Sequence, residues 1–247
     1  MIHYTKELAQ GYNVFHSRGH KSQEFQNEKI KYYLNLDQYS TLLDAGCGAG
    51  RLFRLSEQVN KMIGVEKSEE MYIQASATPF EVDLYNQDFQ SFLAAYDWLE
   101  NQRPINSVVF SYTLHQFDSN KYKQIQILHD TFRKLGCKNI LLITASENQF
   151  NESVLNQMSS VIDEIDRNRY LFKHDLISEF NIRAYEEETI YNSITKEEYK
   201  KLIESKYIST LQLISDTEFN SIIKKIDAGP DRFILPDYYT YILLEQK

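Results

Sequence analysis

The residues best suited to chemistry begin at a run of glycines, Asp44-Ala45-Gly46-Cys47-Gly48-Ala49-Gly50. Glycines at such a turn let backbone N–H groups approach a ligand with no Cβ in the way, and a helix that follows adds unpaired N–H groups. A nucleotide-like ligand is implied. The dinucleotide fingerprint needs a third glycine where Arg51 stands, and no Gly-Lys-Ser/Thr supplies a phosphate loop, so pyrophosphate binders lose ground. Asp44 would repel phosphate but accept hydrogen bonds from an ammonium or from water around an amino-acid moiety. Glu66 follows 22 residues later, near the ~20-residue offset at which an acid grips ribose hydroxyls in α/β folds. Gln87-Asp88-Phe89 then offers an acceptor for an exocyclic amine and an aromatic face for a purine. The three acids describe one ligand: Asp44 for an amino-acid part, Glu66 for ribose, Asp88 for adenine. Cys47, between two glycines, is a small packing residue that offers the ligand only its backbone. His115 lies just past a strand end, where ligands meet open α/β sheets, and is the candidate general base or substrate contact.

Strands must end where these residues stand. Short apolar runs at 41–45, 62–65, 81–85, 105–111 and 139–144 alternate with helical stretches near 49–58, after Ser68, at 90–100 and at 119–134. That alternation predicts an α/β fold, a parallel sheet with helices on both faces. After Ala145 the rhythm changes to a helix over 152–168, a strand over 182–185, helices over 195–206 and 216–227, and a last strand over 238–244. Ser193-Ile194-Thr195-Lys196-Glu197-Glu198 and Ser215-Asp216-Thr217-Glu218 carry the N-cap and early acids of helix starts, and Gly229-Pro230 is a stop signal. Residues 192–236 therefore read as a helical insertion in one domain spanning 40–247, preceded by a polar helical segment over 1–39.

The 247 residues hold 27 Lys and Arg against 35 Asp and Glu, a formal net charge of −8. With no basic run to offset it, nucleic acid is a poor partner. No apolar stretch approaches the ~20 residues that span a bilayer, and no leader pattern is seen, so a cytoplasmic protein is expected. Cys47 and Cys137 are too few for a disulfide framework and form no zinc pair, and no metal site is expected.

Leu42-Leu43-Asp44-Ala45-Gly46-Cys47-Gly48-Ala49-Gly50, Val65-Glu66-Lys67-Ser68-Glu69-Glu70-Met71 and Gln87-Asp88-Phe89 resemble the successive cofactor motifs of class I S-adenosylmethionine-dependent methyltransferases. Phe110-Ser111-Tyr112-Thr113-Leu114-His115-Gln116-Phe117-Asp118 is similar to the strand-four segment of their small-molecule branch, which includes trans-aconitate methyltransferase-like proteins. The resemblance implies a Rossmann-like fold with a seven-strand, mostly parallel sheet, an antiparallel last strand and a small helical lid at 192–236. It implies transfer of a methyl group from S-adenosylmethionine to an O, N or C atom of a small molecule. Asp44, Gly46 and Gly48 would line the methionine part, with Glu66 on the ribose and Asp88 with Phe89 on the adenine. Lys67 and Met71 would flank the nucleoside and Ser111 would lie beneath the sulfonium. Arg18, in a segment with Tyr12, His16 and His20 that would fold over the cofactor, would pair with the methionine carboxylate. Gln116 departs from the His or Trp often found there, and neither an Asn/Asp-Pro-Pro-Tyr/Phe motif nor a Pro-Cys nucleophile is present. Two rival readings use the same sheet: a nicotinamide-dependent oxidoreductase, opposed by Arg51, and a non-catalytic S-adenosylmethionine-binding scaffold that regulates a partner.

Overall fold

The computed structural model describes residues 20–96, 104–145, 154–206 and 209–247. Helix α1 (His20–Leu34) leads into β1 (Thr41–Ala45), a 3-10 turn (Phe53–Gln58), β2 (Lys61–Val65), α2 (Glu69–Ser76), β3 (Asp83–Tyr85) and α3 (Phe89–Ala95). Then come β4 (Ser107–Ser111), a single turn α4 (Leu114–Phe117), α5 (Lys121–Leu135) and β5 (Asn139–Thr144). The rest comprises α6 (Val154–Met158), α7 (Ser160–Arg169), α8 (Lys173–Leu176), β6 (Asn181–Thr195), α9 (Lys196–Glu204), a second 3-10 turn (Ser209–Gln212), α10 (Asp216–Ala228) and β7 (Arg232–Glu245).

One seven-stranded sheet runs in the order β3-β2-β1-β4-β5-β7-β6. β1 to β5 pair in parallel, and β7 is antiparallel to both β5 and β6. Every residue of β1 and β4 is buried, as is expected of central strands covered on both faces. Alternation then sorts the side chains. Leu43, Ala45, Val108, Phe110, Ile140 and Leu142 meet α3 and α5 in one core, while Leu42, Val109, Leu141, Ile143 and Tyr241 meet Ile30 and Leu34 of α1 in the other. Asp44 and Ser111 point to the α1 face by the same parity. Short polar caps fix the helix starts: Ser68 accepts from the Met71 N–H, Asp88 from Ser91 and Asn120 from Tyr122.

β6 and β7 pair from Asn181 with Glu245 to Thr195 with Arg232, yet β5 covers only Thr240–Leu244 of β7. The remainder is a two-stranded ribbon running past Thr144, beyond the carboxyl edge of the parallel strands. A third core of Ile194, Tyr199, Leu202, Ile203, Ile222, Ile226 and Phe233, with Leu155 and Ile162, packs α9 and α10 onto this ribbon. Lys225 donates to the Met158 carbonyl, and the Thr210 hydroxyl donates to Asp166 at 2.6 Å, tying the module to α6 and α7.

Several boundaries differ from those the sequence suggests. The helix expected over 49–58 shrinks to the 3-10 turn, because Gly48 and Gly50 hold φ of +56° and +86°, outside the helical region. The helix expected over 152–168 is two, broken at Ser159, whose side chain caps α7. The strands expected at 182–185 and 238–244 are parts of strands of 15 and 14 residues. The 192–236 segment therefore begins inside β6 and ends inside β7, and its helical part spans 196–228. Residues 97–103, with Trp98 and Leu99, and Tyr12, His16 and Arg18 lie outside the described residues. Among the described residues no helix is long and apolar enough to cross a membrane, and no cluster of three or more His, Cys, Asp or Glu could hold a metal ion.

Candidate functional site

The glycine loop is anchored from below and from the side. Gly46 and Cys47 donate their N–H groups to the Val65 carbonyl at 2.8 and 3.1 Å, which locks the loop to the end of β2. Gly46 holds φ of +76°, and a Cβ there would stand 2.8 Å from the Thr113 side chain. Only glycine permits both the dihedral and the approach. Thr113 in turn donates to the Ala45 carbonyl at 2.7 Å, so the turns after β1 and β4 hold each other.

Glu66 organises the loop as well as facing it. One carboxylate oxygen accepts the Gly48 N–H at 2.9 Å and the other the Ser68 N–H at 2.7 Å. Burial raises this carboxyl above its ordinary range, and the two N–H bonds oppose the rise. Asp44 is buried, and among the described residues its carboxylate receives no hydrogen bond. Burial pushes it up to about 7, with the Arg51 charge opposing and Glu66 adding to the rise. A buried, partnerless acid at the end of a central strand suits a cationic ligand group. The Cys47 thiol is driven well above its ordinary range by burial and by Asp44 and Glu66, so it is an inert packing group, and a Cβ at Gly64 would lie 3.0 Å from its sulfur.

The other expected residues divide. Ser111 is buried at the end of β4, and its hydroxyl accepts from the Arg51 guanidinium at 2.7 Å. Met71 is buried in the first turn of α2. The Lys67 side chain is exposed. Asp88 is exposed and occupied in capping α3. Phe89 lies in the core, stacked on Phe117 at 5.4 Å and Phe92 at 6.2 Å, with its edge region against Phe110. His115 is 5% exposed, 4.4 Å from the Tyr170 ring, and lines a small cavity with Tyr112, Thr113, Gln124 and Thr144. Burial and then the Arg169 charge hold its pKa well below the ordinary histidine value, so the imidazole is neutral at pH 7. The structure thus brings together Asp44, Gly46, Cys47, Gly48, Glu66 and Ser111, leaves Lys67 and Asp88 at the surface, and places Phe89 and His115 on the opposite face of the sheet from Asp44.

Sequence reasoning missed four residues here. Arg51 crosses from the loop to Ser111. Phe117 would meet a Cβ of Gly46 at 3.2 Å. Tyr112 holds a left-handed φ of +56°, with its hydroxyl donating to the Tyr238 carbonyl; such strain collects at functional sites. Tyr241 lies buried on β7 beneath α1. Arg51 carried a signal, the glycine it displaces, but that residue was weighed only against a dinucleotide.

A sheet of this order, with the glycine loop after β1 and an acid after β2, defines the class I methyltransferase architecture. A family model described as a methyltransferase domain matches residues 18–189, and the chain belongs to that family of S-adenosylmethionine-dependent enzymes. Among solved structures it is similar to the YcgJ protein of Bacillus subtilis, at 16% identity over 92% of this chain and 99% of that one, with a TM-score of 0.56. It is also similar to the plantazolicin methyltransferase BpumL in complex with a pentazolic desmethylPZN analog and SAH, at 15% identity over 98% and 96% of the two chains and a TM-score of 0.55. At these identities the likeness is one of fold. No curated protein sequence matches the chain.

Proposed function

We propose that the protein methylates a small molecule in the cytoplasm and that the β1–β2 edge, with Asp44 at its centre, holds the methyl donor. The observation that carries this reading is the buried Asp44 carboxylate, partnerless among the described residues, beside a glycine loop tied to Glu66. When bound, S-adenosylmethionine supplies an electrophilic methyl group on a sulfonium. Asp44 would receive the ammonium of the amino-acid end, next to the loop at Gly46, Cys47 and Gly48. Glu66 spends one lone pair of each oxygen on the loop and α2, which leaves the others for two ribose hydroxyls. Asp88 has spare lone pairs beyond its cap, and the Phe89 N–H in the first turn of α3 has no intrahelical partner, so the adenine edge would meet these two. Met71 would back the nucleoside, with Lys67 at its rim, and Ser111 would lie under the reacting centre.

The protein's contribution to an in-line displacement is alignment and charge placement. His115 is buried against Tyr170 on the face of the sheet away from Asp44, so it would support the turn after β4 rather than receive the acceptor's proton. The α9–α10 module stands beyond the carboxyl edge on the Asp44 face and would serve as the lid that excludes water. The −8 charge opposes a nucleic-acid acceptor, and two buried, unpaired thiols suit a reducing compartment.

Thermal unfolding with S-adenosylhomocysteine tests the reading. At about 100 times its Kd it should add ~2.7 kcal/mol, a rise of about 5–10 °C for a chain of this size, and NAD should add nothing. A rise with NAD and none with S-adenosylhomocysteine would refute it.

A further inference from the structure

Arg51 occupies an unusual position for a charged side chain. It leaves the glycine loop where its carbonyl is held by Gln23 of α1, and its guanidinium crosses to β4 to donate to the Ser111 hydroxyl at 2.7 Å. Among the described residues that hydroxyl is its one hydrogen-bonding partner, and no ion pair forms. A guanidinium carries five N–H donors, so four remain. On the same face of the sheet, Tyr241 of β7 is fully buried, and among the described residues its hydroxyl has no hydrogen-bonding partner. Its ring is held between Tyr33 at 5.7 Å and Tyr239 at 6.3 Å, so the phenol cannot swing away to water. The Arg51 charge acts on both Tyr241 and Asp44.

We propose that Arg51, Ser111 and Tyr241 form a carboxylate-binding subsite at the boundary between the donor and acceptor ends of the site. The groups are donors in excess: guanidinium N–H groups in a planar fork, and two hydroxyls that can turn toward an anion. A planar carboxylate matches that fork with two parallel bonds. A phosphate is opposed by Asp44, which suits an ammonium instead; Asp44 and Arg51 together complement the two charges of an amino acid. The carboxylate can come from the amino-acid end of the methyl donor or from the acceptor. The inference rests on the donor-site reading for where the subsite lies, and on Arg51 and Tyr241 alone for what it binds.

Calorimetry with wild type and Arg51→Met, which keeps an apolar stem and removes the fork, separates the sources. If the donor's carboxylate sits here, Arg51→Met weakens S-adenosylhomocysteine at least tenfold and leaves decarboxylated S-adenosylhomocysteine unchanged, with Arg51→Lys in between. If the acceptor's does, S-adenosylhomocysteine binds both proteins alike, and malonate stabilises the S-adenosylhomocysteine complex of wild type but not of Arg51→Met. Equal losses for the two nucleosides, or no difference with any of the three ligands, overturns the subsite. Tyr241→Phe, which removes only the phenolic hydroxyl, should show the same pattern more weakly and carries the test should Arg51→Met fail to fold. Wild type that binds no S-adenosylhomocysteine would refute the donor-site reading instead, and malonate with the unliganded wild type and variants then decides the subsite by itself.

Discussion

At the β1–β2 end of the carboxyl edge, the bonds that shape the glycine loop join residues close in sequence or at the ends of adjacent strands: Gly46 and Cys47 to Val65, Gly48 to Glu66, Glu66 to Ser68. At the β7–β6 end the contacts join distant segments: Tyr33 of α1 with Glu186 and Tyr241, and Lys29 with Glu186 and Glu188. The first end is specified by backbone dihedrals and carboxylates, which few residue types can supply. The second is specified by packing among tyrosines, which many residues could replace. Binding of a common donor belongs to the first kind of region and selection of an individual acceptor to the second.

The largest effect should come from breaking the first region's backbone. Gly46→Val forces a β-branched residue to φ of +76° with its Cβ at 2.8 Å from Thr113, a loss of about 3–5 kcal/mol in urea unfolding together with donor binding. Gly136→Ala has a similar φ of +60° but nothing within 4 Å, and should cost only about 1 kcal/mol with binding intact. Similar losses from the two would mean that the loop is not under close constraint.

Next in size is Ile226→Ala, which opens the third core, where Ile226 is fully buried. A cost of about 2–5 kcal/mol is expected there. Hydrogen exchange should accelerate in α9, α10 and the distal β6–β7 ribbon while β1 and β4 stay protected and S-adenosylhomocysteine affinity changes less than twofold. Uniform loss of protection would show one cooperative unit and end the distinction between the regions.

A smaller effect concerns pH. Asp44 keeps its proton up to about 7 in the unliganded protein, and an ammonium partner requires the ionised form. Binding below that pH must release the proton, so S-adenosylhomocysteine affinity should fall about tenfold from pH 8 to pH 6, and the slope should vanish in Asp44→Asn. Because this pKa is raised on folding, the unliganded protein also loses stability as the pH climbs from about 4 through 7. Affinity independent of pH would remove Asp44 from the ammonium.

The two regions also differ in how far they are legible in the sequence. β1 and β5 begin and end at the residues that the apolar runs 41–45 and 139–144 mark, because buried parallel strands stop where glycine or polar loops begin. The loop and Glu66 are legible for the same reason. The ribbon is not: only 182–185 and 238–244 read as strand, whereas in the fold Glu186 and Glu188, beyond the first run, reach Lys29, and Pro236, before the second, pairs with Tyr191. Phe89 offered an aromatic face on paper, but its neighbours Phe92, Phe110 and Phe117, scattered along the chain from 92 to 117, enclose it. His115 shows the same limit, since nothing near it in sequence announces Tyr170 or Arg169. The Arg51 charge comes within electrostatic reach of Tyr241 only when β7 is laid beside β5.

The most direct test of the donor site is calorimetric titration of S-adenosylhomocysteine into wild type, Glu66→Ala and Glu69→Ala. Glu66 faces the loop, and its loss removes charge-assisted acceptors worth ~1.5–3 kcal/mol each, whereas Glu69 is exposed on α2. The account predicts that Glu66→Ala weakens binding about 100-fold or more and that Glu69→Ala binds as wild type does. Equal affinities in all three proteins would contradict it.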